Sequence, residues 1–311
     1  MSGHGEEGEK GDRGGFQEGE DLRELIKFLK FWIEPPTILF PIPLIPLYVV
    51  AATGNTIASI PAILYAFLIS SASNLWNHTN DAEEDLTFGS RDSRILLKFT
   101  KICVVTSIAL YTLSYVTVLL FSVDRAAHIF ALAPVALTWL YSDRMYLYRL
   151  FRFRLKEHYV TELLTYVLTS ISALAVLWSF CTELSPSLIV LSLPVILLYL
   201  SLAVLKDLKD VTQDEKMGYR TLAIALGPEN VLKVSASLAA LYYSSLIAAY
   251  HFGKLPPFGL LALPAYALFL ARMTKKNWKV SVEDVPLMKL YVYQLLTSFA
   301  LTTASAPLRF S

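Results

Sequence analysis

The sequence predicts an all-α integral membrane protein with nine transmembrane helices, and three observations carry that expectation. Hydrophobic residues make up 55% of the 311 positions and charged residues only 17%, against roughly 25% charged in ordinary soluble domains. The mean hydropathy is +0.49. Charge-poor stretches long enough to cross about 30 Å of hydrocarbon as helix recur along the whole chain. They lie at 36–53, 56–77, 101–123, 126–142, 159–181, 187–205, 231–252, 257–273 and 285–306. A net charge of +1, from 27 Lys and Arg against 26 Asp and Glu, leaves no basic excess for nucleic-acid phosphates. Cys103 and Cys181 both fall in apolar runs, which excludes a disulfide framework.

Residues 1–19 are polar and Gly/Glu-rich and read as a disordered tail with no signal peptide. Within 20–34, Leu22, Leu25, Ile26, Leu29 and Ile33 recur at helical spacing, with Arg23, Lys27 and Lys30 on other faces. That pattern predicts an amphipathic helix in the membrane interface, ended by Pro35-Pro36, after which 35–311 forms the membrane domain. Of the 27 Lys and Arg, only Arg125, Lys254 and Arg309 fall on one side of the predicted spans. The positive-inside rule then places the N-terminus in the cytoplasm and the C-terminus outside. The opposite-side connections at 54–55 and 123–125 are too short to build a site. Chemistry is expected at the cytoplasmic face.

Two acidic stretches stand there. Asn77, Asp81 and Asp85 follow the second span at i, i+4, i+8, one helix face over about 12 Å. Asp207, Asp210 and Asp214 follow the sixth at i, i+3, i+7, again one face. Like charges at such spacing destabilise an isolated helix by a few tenths of a kcal/mol per pair, so two facing rows call for cations between them. Hard oxygen donors at the ends of two helices suit Mg²⁺, which favours carboxylates together with substrate phosphate oxygens.

With these motifs the chain resembles the UbiA superfamily of intramembrane prenyltransferases. The resemblance is carried by Asn77-x-x-x-Asp81-x-x-x-Asp85 and by Lys206-Asp207-x-x-Asp210-x-x-x-Asp214-x-x-x-Gly218-Tyr-Arg220-Thr-Leu-Ala-x-x-Leu-Gly227. It implies nine helices around a central cavity and two Mg²⁺ ions between the motifs, held by Asn77, Asp81, Asp85, Asp207, Asp210 and Asp214. Asp81, Asp85, Asp210 and Asp214 would be the catalytic set. The donor would be an isoprenyl diphosphate, whose leaving group the metal neutralises as the allylic C–O bond breaks. An apolar cavity would shield the allylic cation from water, a lipophilic acceptor would attack it, and a base would remove a proton. Arg91, Arg94, Lys98, Arg144, Lys206 and Arg220 are the diphosphate ligands so implied. Tyr141, Tyr148 and Glu162 are candidate contacts for acceptor or prenyl chain.

Some positions depart from the family pattern. Glu34-Pro35-Pro36-Thr37 stands where many members have Arg-Pro. Gly89-Ser-Arg91-Asp92-Ser-Arg94 replaces Arg-Pro-x-x-x-Gly and is similar to the vitamin K and menaquinone branch. The family's Tyr-x-x-x-Lys has only Tyr141-Ser-Asp-Arg144 and Tyr148-Arg-Leu-Phe-Arg152 as counterparts. Arg149, Arg152, Arg154 and Lys156 read as anchors on anionic headgroups, and Trp32, Trp76 and Trp278 as interfacial belts. His78 points off the acidic face, and His128, His158 and His251 lack zinc-ligand spacing. Glu162, about one turn into its span, is a functional candidate as an intramembrane carboxylate.

The leading expectation is Mg²⁺-dependent transfer of an isoprenyl group to an aromatic quinone precursor. The Lys206-Asp207 opening of the second motif leans toward the runner-up, alkylation of geranylgeranylglycerol phosphate in ether-lipid synthesis. A cation-coupled transporter is the rival of another class, disfavoured because the acids lie at one face and not near the midplane.

Overall fold

A computed structural model of the chain describes residues 44–90, 93–206, 208, 211–281 and 284–308. The expectations for the tail, the interface helix, Trp32, Arg91, Asp207 and Asp210 lie outside these residues. Every regular element described is helical, apart from one isolated backbone bridge between His158 and Arg220. Helix α1 is Leu44–Thr53, and a 3-10 turn at Thr56–Ala58 leads into α2, Ser59–Thr87. Then come α3 (Ser93–Lys98), α4 (Thr100–Phe121), α5 (Ala127–Ser142), α6 (Leu147–Phe151), α7 (Tyr159–Ser179) and α8 (Leu188–Lys206). Two short helices, α9 (Val211–Met217) and α10 (Leu222–Leu226), precede α11 (Pro228–His251). A 3-10 segment at Pro257–Ala262 leads into α12 (Leu263–Lys275), and α13 is Val285–Ser305.

Six segments among the described residues are long and apolar enough to cross a membrane: Thr56–Thr87, Thr100–Phe121, Tyr159–Ser179, Leu188–Lys206, Pro228–His251 and Pro257–Lys275. The remaining three of the nine expected spans are α1, α5 and α13. Only the end of the first falls within the described residues. The 16 residues of α5 rise about 24 Å, short of the hydrocarbon thickness. Lys289, Gln294 and a run of Tyr, Ser and Thr dilute the hydropathy of α13.

The long helices form a ring in chain order. Each packs on its successor, and α1 packs on both α2 and α13, which closes the ring. Helix α4 shows the packing rule. Ile102, Val105, Leu113, Leu119 and Leu120 are exposed, while Cys103, Ser107, Ser114 and Thr117 are buried. Its outward face is largely apolar, while its inward face interleaves these small and hydroxylic residues with the buried Val104, Leu110, Tyr111 and Val118. The small residues allow the close backbone approach that helps helices associate in lipid. Hydroxyl contacts tie the far side of the ring. The Ser201 hydroxyl donates to the Ser235 carbonyl at 3.0 Å, and the Ser235 hydroxyl donates to the Ser201 carbonyl at 2.8 Å. The Tyr291 hydroxyl stands 3.1 and 3.0 Å from these two serine hydroxyls.

Trp76 is a correction. It is fully buried, its ring 4.0 Å from that of Trp139, and its indole N–H donates to the Trp139 carbonyl at 3.1 Å. This tilted aromatic contact with α5 takes it from the interface into the core.

Gly259 marks a close approach to α13. A Cβ there would overlap Thr302 Oγ1 and stand 3.0 Å from the Ser298 carbonyl oxygen. Gly259→Ala is therefore expected to destabilise the fold by about 1–3 kcal/mol, an overpacking cost. Thermal unfolding in detergent checks this; an unchanged midpoint would mean that the crossing is not close.

Candidate active site

Helix α2 has 29 residues and is about 43 Å long, so its last turns extend beyond an apolar layer of about 30 Å. These turns carry Asn77, Asp81 and Asp85, as the uninterrupted pattern predicts. The second acidic stretch differs. Helix α8 ends at Lys206, and Asp214 sits on the separate short helix α9. Its one-face arrangement with Asp207 and Asp210 rests on residues outside those described.

Gly218 ends α9 with φ +74°. Its N–H donates to the Glu215 carbonyl at 3.1 Å, and the Tyr219 N–H to the Asp214 carbonyl at 3.0 Å. This is a Schellman turn, which needs a residue free to adopt the left-handed region. The turned chain then pairs with the loop before α7: the Arg220 N–H donates to the Glu157 carbonyl at 2.9 Å, and the Tyr159 N–H to the Arg220 carbonyl at 2.8 Å. The conspicuous Gly218-Tyr-Arg220 tail of the motif thus joins α9 to the start of α7.

Arg154 holds the centre of this region. It is 2% exposed. Its Nη1 donates to Asp81 Oδ1 at 3.1 Å, its Nη2 to Glu84 Oε1 at 2.8 Å and its Nε to Glu157 Oε1 at 2.7 Å. Nη2 also contacts the Tyr219 hydroxyl, which itself donates to Glu84 Oε1 at 2.8 Å. Burial opposes the charge on Arg154, but Asp81 and Glu84 outweigh it and hold the guanidinium above its ordinary value. Burial, reinforced by Glu84 and opposed by Arg154, raises the Tyr219 phenol, so Tyr219 remains a neutral donor. Lys156 Nζ also donates to Asp81 Oδ1. Arg144 Nη1 reaches Glu84 at 3.2 Å, and its backbone N–H donates to Asn80 Oδ1 at 2.8 Å. Arg154 and Lys156, expected on the membrane surface, instead turn inward, where the carboxylates of Asp81 and Glu84 on α2 pair with them. Arg149 and Arg152 are exposed.

A polar chamber of ≈ 350 Å³ lies beside this network. Its wall brings together Asn77, Asp81 and Asp85 from α2, Asp214 from α9, Tyr141, Glu162 and Lys206. Lys156, Glu84, Tyr219 and Gln213 complete it, and His78 lines it as well despite its register. Gln213 hydrogen-bonds the Asp85 carboxylate. Arg94, Lys98, Arg144, Arg220 and Tyr148 are not among the lining residues; Arg94 and Arg220 are exposed, Lys98 covers the Phe99 ring at 5.0 Å, and Arg144 pairs with Glu83 and Glu84. Below the chamber an apolar cavity of ≈ 290 Å³ runs between α1, α2, α5, α7 and α8, lined by Tyr65, Ile69, Leu174, Val195 and Tyr199 among others. Asn74 lines both spaces.

The oxygen donors fit a hard cation. Asn77 Oδ1 is buried with no hydrogen-bond partner among the described residues, and it shares the chamber wall with the carboxylates of Asp81, Asp85 and Asp214 as well as Glu84 and Glu162. Among the described residues no three His, Cys, Asp or Glu side chains form a metal-holding group by themselves. Substrate oxygens would complete the shell of Mg²⁺.

Glu84, Arg154, Lys156 and Tyr219 were missed as site residues. Glu84 follows Asp81 by three residues and Asn77 by seven, so helical period alone could have found it. The loop cations carry no such periodic signal.

Fold and site together define a class: a helical integral membrane protein with an acidic chamber set above an apolar cavity. The chain belongs to the UbiA prenyltransferase family, whose model matches residues 39–292, and it is a prenyltransferase. A relative from Archaeoglobus fulgidus, an uncharacterized protein, is 35% identical over 284 residues, covering 88% of this chain and 96% of its own. Among solved structures, a UbiA homolog from Archaeoglobus fulgidus bound to GPP and Mg²⁺ has a TM-score of 0.61 at 17% identity, covering 90% of this chain and 99% of that one. A digeranylgeranylglyceryl phosphate synthase gives 0.60 at 18%, covering 92% and 99%. These two likenesses are of fold.

Arg154→Met should cost about 3–5 kcal/mol, because it leaves buried carboxylates without their counter-charge. Arg154→Lys should recover part of that loss but not the forked contacts. Detergent unfolding midpoints check both; Met behaving like the unsubstituted chain would show that the network is not stabilising.

Proposed function

We propose that this chain transfers an isoprenyl group from its diphosphate to a lipophilic acceptor, using Mg²⁺. The observation that carries this reading is the junction at Asn74 between an acidic, Lys-bearing chamber and an apolar cavity. A diphosphate ester of a hydrocarbon chain has the same two-part character. The solved relative that holds GPP and Mg²⁺ in the same fold supports it.

Asn77, Asp81, Asp85 and Asp214, with Asp207 and Asp210 of the motif, are the residues to hold Mg²⁺. The bound ion supplies charge neutralisation to the departing diphosphate. Lys156 and Lys206 are placed to bind its oxygens, and Arg144 stands beside them on Glu84. The aliphatic and aromatic wall of the lower cavity seats the chain and keeps water from the allylic carbon. Tyr141 and Glu162 line the chamber where an acceptor would meet it. The ring is read as nine spans with the chamber on the cytoplasmic side, supported by the one-sided Lys and Arg distribution.

The acceptor is read as an aromatic quinone precursor, supported by the loop Gly89-Ser-Arg91-Asp92-Ser-Arg94. A glycerol-phosphate ether lipid is the second reading, favoured by Lys206 in the chamber wall.

The test is diphosphate release from geranylgeranyl diphosphate by purified protein in detergent, with and without Mg²⁺. Parallel reactions offer 1,4-dihydroxy-2-naphthoate or geranylgeranylglycerol phosphate. Mg²⁺-dependent release with one acceptor is expected; no metal-dependent binding of the donor would overturn the reading. Asp81→Ala and Asp214→Ala should each abolish transfer; Asp214→Ala should leave the unfolding midpoint unchanged, whereas Asp81→Ala also takes one partner from the buried Arg154 and should lower it. Normal turnover by either variant would remove these residues from the metal site.

A further inference from the structure

Glu162 is a buried acid of the chamber that the ion-pair network does not use. It is 3% exposed, lies in the first turn of α7 and lines the polar chamber. Its Oε1 accepts from the Tyr141 hydroxyl and from the Tyr166 hydroxyl, both at 3.0 Å, and those two hydroxyls stand 2.9 Å apart. Its Oε2 is buried and accepts no well-aligned hydrogen bond among the described residues, although the Leu222 backbone N–H approaches the carboxyl. Leaving one oxygen of a buried carboxyl unmatched is costly, while two phenol donors on the other oxygen hold the group in place. The location is also specific. Tyr166 meets Tyr199 edge-on at 6.5 Å, and Tyr199 lines the apolar cavity. Glu162 therefore sits at the level where the chamber gives way to the cavity. A diphosphate in one space and a prenyl chain in the other would put the allylic carbon at that boundary.

We infer that Glu162 Oε2 takes the proton released by the acceptor, and that the acceptor is a lipophilic compound reacting through a hydroxyl or through a ring carbon activated by one. This rests on the prenyl-transfer reading. As the donor's C1–O bond breaks, its electron pair leaves with the diphosphate. The acceptor's electron pair forms the new bond to C1. The acceptor's proton passes to Oε2 and leaves a neutral carboxylic acid, which returns the proton to water after product departs. Tyr141 and Tyr166 act as positioning residues by fixing Oε1.

The experiment uses the full chain in detergent with Mg²⁺ and geranylgeranyl diphosphate, and with 1,4-dihydroxy-2-naphthoate or geranylgeranylglycerol phosphate as acceptor. Donor affinity and the kcat and KM of transfer are measured for the unsubstituted chain, Glu162→Gln and Glu162→Asp. Glu162→Gln is expected to keep donor affinity and the thermal midpoint while kcat falls about 10²-fold or more, the usual worth of a general base. Glu162→Asp, which retains a shortened base, should recover part of kcat. If the Gln variant does not fold, the Asp variant carries the same test, with kcat reduced at unchanged donor affinity. Turnover by the Gln variant within about threefold of the unsubstituted chain overturns the proposal, as does a loss confined to KM or donor affinity. An unsubstituted chain that binds donor but alkylates neither compound overturns the acceptor class alone. One that binds no donor in Mg²⁺ overturns the transfer reading and this proposal together.

Discussion

Asp81 and Glu84 stand almost one turn apart on the same helix, and neither is far from an apolar surround. Two carboxylates so placed repel, and burying them without counter-charge would cost more than helix packing could offset. The guanidinium of Arg154 resolves this by bridging both and adding Glu157 as a third anion. Its planar fork suits several carboxylates at once, which a lysine ammonium could not match. Much of the polar end follows from that one group. Holding Arg154 inward fixes the loop before α7. That loop presents Glu157 and Tyr159 to the Arg220 backbone, and the Schellman turn at Gly218 then delivers Tyr219 onto Glu84 and Asp214 into the chamber wall.

The rest of the ring obeys a different constraint. Lipid gives no hydrophobic reward for helix contact, so the helices meet through serines, small side chains and tyrosine hydroxyls. The Ser201–Ser235–Tyr291 cluster and the Gly259 crossing are examples. Helix α8 takes part in that cluster through Ser201 and, with α1, α2, α5 and α7, also lines the apolar cavity through Val195, Ile196 and Tyr199.

The long apolar helices were legible because their boundaries coincide with changes in hydropathy. Asp81 and Asp85 were legible as neighbours because carboxylates at helical spacing carry a periodic signal, and Asp214 was legible beside them through the resemblance of its stretch to a family motif. Glu84 shared that signal and was passed over. Arg154 and Lys156 were not separable from Arg149 and Arg152, since over a one-turn helix, a bend and a 3-10 turn nothing in the order of residues says which cation turns inward. Only the partners on α2 decide it. The separation of α9 from α8 was likewise hidden, because residues 206–214 have no proline or glycine to announce it. Trp76 belonged to an interfacial pattern by composition and to the core by its contact with Trp139.

One continuous helix supplies both the acidic row and part of the apolar wall. Asn74, which lines both spaces, lies three residues before Asn77 on α2, so the angular offset between reaction centre and chain pocket is written into helical pitch. Each residue turns the helix by about 100°. One residue added between Ala66 and Asn74 would leave composition and hydropathy nearly unchanged, yet swing the carboxylates away from the chamber by more than a quarter of a turn. Seven added residues would nearly restore the phase while lifting the row by about 10 Å. The length of this segment is consequently constrained as tightly as its residues are, and natural variation in the family should favour substitution over insertion there.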